Sequence, residues 1–244
     1  MARVAIISHR GGSFLWPENS LVAFRETLRL PVEEAECDVH LSADGTVMVL
    51  HDATLDRTTD GTGPLGALAL DALGRVRVKG TAGEAVPTLA GLATLFRDTA
   101  MRLRVEVKMD GAGRPYPGIV AKTLAELNAA GIRHRSVLIG FQAPQMAEAL
   151  AAGGLAGVSW LLEGRALQDV GVDGIVAAAR SYGFRDLGFP ARSLDAALLA
   201  RLRAAGFAVN VWGANHAGEI ARMLELGVDA FATDDPPLAL AMRG

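Results

Sequence analysis

Along this chain eight short runs rich in Val, Ile and Leu alternate with seven longer segments of helical period. Apolar runs of strand length that alternate with helices are the pattern of βαβ units, which set their strands side by side in one parallel sheet. The predicted strands cover residues 4–9, 33–41, 102–108, 137–140, 157–162, 186–189, 207–212 and 229–233. Helices are expected at 20–30, 89–98, 119–130, 144–152, 172–182, 194–205 and 217–226. Eight strands with helices between them, in 244 residues, match a (β/α)8 TIM-type barrel of the α/β class. A chain of this length builds one sizeable core, so the expectation is a single domain over residues 1–244. Ser193 is the expected N-cap of its helix, with Asp195 in the first turn, and Gly131, Gly183, Gly206 and Gly227 read as helix stops.

One stretch departs from the alternation. Residues 47–50 follow the second strand across Ala43-Asp44-Gly45-Thr46, a hairpin signal, and predict a short antiparallel strand. Residues 54–87 then form a long connection with little period, an insertion after the second barrel strand of the kind that often caps a site. Residues 111–118 read as a mobile loop.

The net charge of -3 provides no basic footprint, which argues against nucleic acid as a partner. The single cysteine, Cys37, excludes an internal disulfide and a thiolate metal cluster, and it fits a reducing, cytoplasmic setting. No apolar run reaches the length of a membrane span, and the first residues do not make a signal segment. A homo-oligomer is left open.

Polar residues stand where the apolar runs end. His9-Arg10-Gly11 closes the first run, Glu36 and Asp38 lie in the second, His51-Asp52 ends the next, and Glu106 and Lys108 finish the fourth. Because side chains alternate faces along a strand, Glu36 and Asp38 point one way and Cys37 the other. Two buried like charges are costly without a cation, and a hard divalent ion with oxygen ligands would compensate them. Glu106, on the neighbouring strand, supplies a third oxygen; structural salt bridges are the alternative reading. His9 and His51 are the acid–base candidates, since phosphodiester cleavage needs one proton removed from the attacking oxygen and another delivered to the leaving alkoxide. Arg10 and Lys108 are the phosphate candidates. Glu18 and Asn19 either cap the first helix or orient Arg10 and touch substrate. Phe141, Phe189 and Trp212, near strand ends, are core or line a pocket mouth. His40, His134 and His216 carry no assigned chemistry. The same face arithmetic puts Glu34 and Arg104 one layer below Glu36 and Glu106, and predicts a buried ion pair between them.

These residues, taken in order, resemble the glycerophosphodiester phosphodiesterases. The resemblance is carried by His9-Arg10-Gly11, Glu18-Asn19-Ser20, Glu36-Cys37-Asp38-Val39, Asp44-Gly45, His51-Asp52, Leu55-Asp56-Arg57-Thr58-Thr59, Pro87-Thr88-Leu89, Glu106-Val107-Lys108, Val211-Trp212 and Thr233-Asp234. It implies a metal-dependent barrel enzyme that cleaves small-molecule glycerophosphodiesters to an alcohol and glycerol 3-phosphate. In that family the residues matching His9 and His51 are the acid/base pair. Those matching Glu36, Asp38 and Glu106 bind one divalent cation, magnesium or calcium, and those matching Arg10 and Lys108 contact phosphate. The family's Thr is replaced by Ser20, a Ser-Phe by Gly140-Phe141, and a Thr after the tryptophan by Gly213. The last two changes remove hydroxyls at the rim and leave the head group open. Competing readings are a phosphodiesterase for a lysophospholipid or phosphoinositol ester, a metal-free barrel isomerase or lyase, and a non-catalytic phosphate binder.

Overall fold

The computed structural model describes residues 3–244. Strands β1 (Ala5–Ser8), β2 (Glu34–Leu41), β4 (Arg102–Val107), β5 (Ser136–Gly140), β6 (Gly157–Leu161), β7 (Asp186–Pro190), β8 (Ala208–Trp212) and β9 (Ala230–Thr233) run parallel in that order. Pairing of Ile7 with Glu34, and of Ser8 with Ala35, joins β1 to β2 and closes the sheet into a barrel. Strand β3 (Val47–Val49) lies outside the ring and pairs antiparallel with the overhanging end of β2, as the hairpin signal predicts.

Helices α1 (Leu21–Thr27), α3 (Leu89–Phe96), α4 (Ile119–Ala129), α5 (Ala143–Ala152), α6 (Gly164–Ser181), α7 (Ala196–Ala204), α8 (Ala217–Leu226) and α9 (Pro236–Arg243) follow the barrel strands or their extensions. The short α2 (Leu70–Leu73) belongs to the insertion. The main core lies between sheet and helices, where the outward residues of the strands, such as Ala35, Cys37 and Val39 on β2, meet Phe24, Leu92 and Phe96. Residues 54–87 form their own small apolar cluster of Leu55, Leu65, Leu73, Val78 and Val86 on Met48 and Leu50 of the hairpin. None of the described helices is long and apolar enough to cross a membrane.

Three local expectations are corrected. Asp195, not Ser193, caps α7: its Oδ1 accepts from the Leu198 N–H at 2.8 Å, while Ser193 sits in a preceding 3-10 turn. Helix α6 begins at Gly164, with Gly171 at positive φ breaking its first two turns from the rest, so only the later, more periodic part was visible in the pattern. Helix α9 was not expected, although Asp235 followed by two prolines is a start signal, and Asp235 accepts from the Leu238 N–H.

The barrel interior carries the polar layers that register predicts. Glu34 stands beside Arg102, Glu36 beside Arg104, and Asp38 beside Glu106. The Arg104 Nε donates to Glu34 Oε2 at 2.7 Å with both side chains buried, and the Arg102 guanidinium lies 2.8 Å from Glu34 Oε1. Both of these cations are thus engaged one layer beneath Glu36 and Asp38. Removing one partner of a buried pair leaves an uncompensated charge, so Glu34→Gln should lower the unfolding free energy by about 3 kcal/mol. A urea transition with unchanged midpoint would show that the pair carries no stability.

Candidate active site

The chain leaves β1 at Ser8 and turns at once through a single 3-10 turn, His9–Gly11. Arg10 lies in the left-handed region at φ 51°, and its N–H donates to Glu36 Oε2 at 3.0 Å. Gly11 has φ 81°, and a Cβ there would fall 2.8 Å from that of Ala23. Only glycine lets α1 pack this closely on the turn. Ser20 caps α1 by accepting from the Ala23 N–H, so Glu18 and Asn19 are free for other work. The Asn19 amide is buried and faces Asp38: its Nδ2 donates to Asp38 Oδ2 at 2.8 Å and its Oδ1 accepts from the Asp38 N–H. Glu18 accepts from Arg10 at 3.2 Å. Both residues therefore orient others.

Glu36, Asp38 and Glu106 are buried, and each offers an oxygen within 4.8 Å of those of the other two. Lys108 Nζ lies 2.6 Å from Glu106 Oε1 and 2.8 Å from Asp38 Oδ1, and Arg10 Nε lies 3.2 Å from Asp38 Oδ2. Burial alone would raise the Asp38 carboxyl, but Lys108 and Arg10 hold it well below the usual carboxylate range. Glu36 is the opposite case: burial, reinforced by Asp38, pushes its carboxyl up to about 7. Glu36 Oε1 is buried with no hydrogen-bond partner. An orphaned carboxylate oxygen beside two further acidic oxygens fits a hard divalent cation, and the all-oxygen donor set fits magnesium or calcium better than a soft metal. These three residues could hold such an ion.

Each candidate imidazole is backed by a carboxylate. His9 Nδ1 lies 2.6 Å from Asp234 Oδ1, which leaves Nε2 near Glu36 Oε2 at 3.9 Å. Asp234 is itself fixed, accepting from Ser13 Oγ and from Asn215 Nδ2. Burial would lower the His9 pKa, but the Asp234 hydrogen bond and the Glu36 charge outweigh it and raise the ring above its ordinary value. His51 Nδ1 lies 2.7 Å from Asp52 Oδ1. Its pKa is lowered, by burial first, with Lys108 and Arg10 adding to the effect. Arg57, from the inserted segment, donates to both Asp52 oxygens and to both Glu18 oxygens, at 2.6 to 3.0 Å. With the Glu18–Arg10 contact, this makes a chain from His51 to Arg10 through Asp52, Arg57 and Glu18. The Asp52 carboxyl is held down at about 2 by Arg57.

His9, Arg10, Glu36, His51, Glu106 and Lys108 line one cavity of about 340 Å3 at the carboxyl ends of the strands. Its far wall is more apolar and includes Ile139, Leu161, Phe141 and Trp212, the two aromatic rings meeting edge to face at 6.2 Å. Phe189 is not among the lining residues. It is fully buried and belongs with Leu187 to the core beneath the helices, because on β7 the inward place falls to Gly188. Sequence reasoning gave no role to Asp234, Asp52 or Arg57. The signals were present: Asp52 adjoins His51, Arg57 stands in a quoted motif, and Asp234 directly follows the last barrel strand.

Two measurements check this geometry. At pH 8, in chelator, Glu36→Gln removes one of three crowded acids and should raise Tm; added magnesium or calcium should raise the Tm of the unaltered protein and leave that of the variant unmoved. A variant whose Tm still climbs with the metal contradicts the ligand set. Asp234→Asn leaves His9 without its carboxylate and should lower kcat by about 10-fold or more at little cost to KM, as loss of such an orienting partner does. An unchanged kcat contradicts that role.

The glycerophosphoryl diester phosphodiesterase family profile matches residues 9–238. The glycerophosphodiester phosphodiesterase of Caldanaerobacter subterraneus subsp. tengcongensis is 25% identical over 239 residues, spanning 96% of this chain and 95% of the relative. The crystal structure of a protein assigned to the glycerophosphoryl diester phosphodiesterases from Agrobacterium tumefaciens str. C58 superposes with a TM-score of 0.96 at 33% identity, over 99% of this chain and 98% of that one. A phosphodiesterase of Oleispira antarctica, in complex with the product sn-glycerol-3-phosphate, shares the fold with a TM-score of 0.80 at 22% identity, over 98% of this chain and 96% of that one. A closed barrel of this order, with its acids and imidazoles at one mouth, and a family match over nearly its whole length have one reading: the chain belongs to the glycerophosphoryl diester phosphodiesterase family of enzymes.

Proposed function

We propose that this protein hydrolyses glycerophosphodiesters to an alcohol and glycerol 3-phosphate, with one divalent cation held by Glu36, Asp38 and Glu106 and with His9 and His51 transferring the protons. The observation that carries the reading is the convergence of two carboxylate-backed imidazoles, three buried acids, Arg10 and Lys108 on one cavity. The glycerol 3-phosphate bound to the Oleispira relative supports the product. We read residues 1–244 as one catalytic unit, with the inserted segment bracing the site through Arg57.

When bound, magnesium or calcium would supply Lewis-acid charge to the phosphoryl group and lower the pKa of the attacking oxygen. One imidazole takes the proton from that oxygen, which is either water or the substrate's own glycerol hydroxyl; in the second case the alcohol leaves a cyclic glycerol phosphate, which water then opens to glycerol 3-phosphate. The other protonates the leaving alkoxide. Asp234 and Asp52 hold the two rings by Nδ1, so that Nε2 is the atom each offers for proton transfer. Arg10 and Lys108 add positive charge beside the phosphoryl oxygens, where negative charge grows in the transition state. A second reading of the substrate, a lysophospholipid, is favoured by the apolar wall of Ile139, Leu161, Phe141 and Trp212.

The test is a panel of glycerophosphodiesters, assayed for glycerol 3-phosphate, and of lysophospholipids, assayed for acylated glycerol phosphate, each with and without chelator. Activity should vanish in chelator and return with magnesium or calcium. His9→Ala and His51→Ala should each lower kcat by about 10²-fold or more. Wild-type kcat in both variants, or full activity in chelator, contradicts the mechanism.

A further inference from the structure

His40 takes no part in the proton transfers just described, yet it is buried, and both of its ring nitrogens are engaged. It lies on β2, two residues beyond Asp38 and on the same face, in the overhang that pairs with the hairpin strand at Met48. Its Nε2 is 3.0 Å from the His51 carbonyl oxygen. A carbonyl only accepts, so Nε2 must carry the hydrogen. Nδ1 then presents a lone pair, and the Tyr116 hydroxyl, 3.1 Å away, donates to it. The two rings meet edge to face at 5.7 Å, so contact as well as hydrogen bonding fixes the histidine.

Strand β3 ends at Val49, and the Leu50 N–H makes one further bond to the Asp38 carbonyl at 3.1 Å. The bond from His40 is the next along the chain. Two successive hydrogen bonds from β2 therefore tie residues 50 and 51 to the strand that carries Asp38. The Asp52 carboxylate holds the His51 ring from its other end. Tyr116 lies in the loop between β4 and α4, so the same contact links that loop to the site.

We propose that His40 is a positioning residue for His51: its Nε2–H anchors the His51 carbonyl, and Tyr116 fixes the tautomer that makes this possible. The inference rests on the reading of His51 as a proton-transfer group. An apolar side chain could fill the same space, but it would leave the His51 carbonyl without this donor. Small displacements of a reacting group are expensive, up to about 10²-fold for roughly 1 Å.

Long-range imidazole 15N spectra of the metal-loaded protein test the tautomer directly. They should show His40 protonated on Nε2; a ring protonated on Nδ1 alone overturns the proposal. His40→Leu should lower kcat by about 10- to 100-fold, with KM within about threefold of wild type and the metal-induced Tm rise retained. His40→Gln, whose amide N–H can serve the same carbonyl, should recover kcat to within about fivefold of wild type. Wild-type kcat in His40→Leu, or equal losses in the Leu and Gln variants, overturns the proposal. Should the Leu variant not fold, Tyr116→Phe carries the test: a mixed His40 tautomer with a reduced kcat supports the anchor, and an unchanged kcat contradicts it. His51→Ala separates the two levels. If it keeps wild-type kcat, the reading of His51 fails; if it is crippled while His40→Leu is not, the positioning role alone fails.

Discussion

The structure turns on the repulsion among three carboxylates packed into the mouth of a barrel. Glu36 and Asp38 are neighbours on one strand, Glu106 stands beside Asp38 on the next, and all three are buried. Charges so placed persist only if cations and hydrogen-bond donors compensate them. Asp38 is the best served, by Arg10, Lys108 and the Asn19 amide. Glu36 is the least served: one oxygen accepts from the Arg10 backbone and the other has no partner. That imbalance is why the two acids titrate in opposite directions, and it is the physical argument for a cation at this place.

Much of the rest of the molecule can be understood as holding that cluster. Arg102 and Arg104 are engaged by Glu34 one layer down. The first loop folds through Arg10 and Gly11 in left-handed geometry, so that a backbone N–H reaches Glu36 while α1 packs close. The inserted segment, with a small apolar cluster of its own, contributes Arg57, which joins Asp52 to Glu18 and so couples the His51 side of the cavity to the Arg10 side. The halves of the cavity differ as a result. The charged half is cross-braced, and the half built from β5, β6 and β8 is lined mainly by apolar and aromatic side chains.

The strands and the positions of the acids were legible in the sequence because two periodicities govern them. Alternation on β2 and β4 sorted Glu36, Asp38 and Glu106 from Cys37 and Val105, and it anticipated the Glu34–Arg104 pair. On β7 the same alternation turns Gly188 inward, so of the two readings open for Phe189, core or pocket mouth, the core is the outcome. What the periods do not give is which residues far apart in the chain meet. His9 meets Asp234 across 225 residues and Arg57 meets Glu18 across 39, and only closure of the barrel brings them together. His40 is hidden for a related reason: its partner is a backbone carbonyl, which leaves no mark in a sequence.

The most direct test of the central claim is anomalous scattering from crystals grown with manganese, as a stand-in for a hard divalent ion. The account predicts one strong peak bonded to oxygens of Glu36, Asp38 and Glu106, in the cavity that His9 and His51 share. Anomalous density confined to other sites, with Lys108 still bridging Asp38 and Glu106, would contradict it.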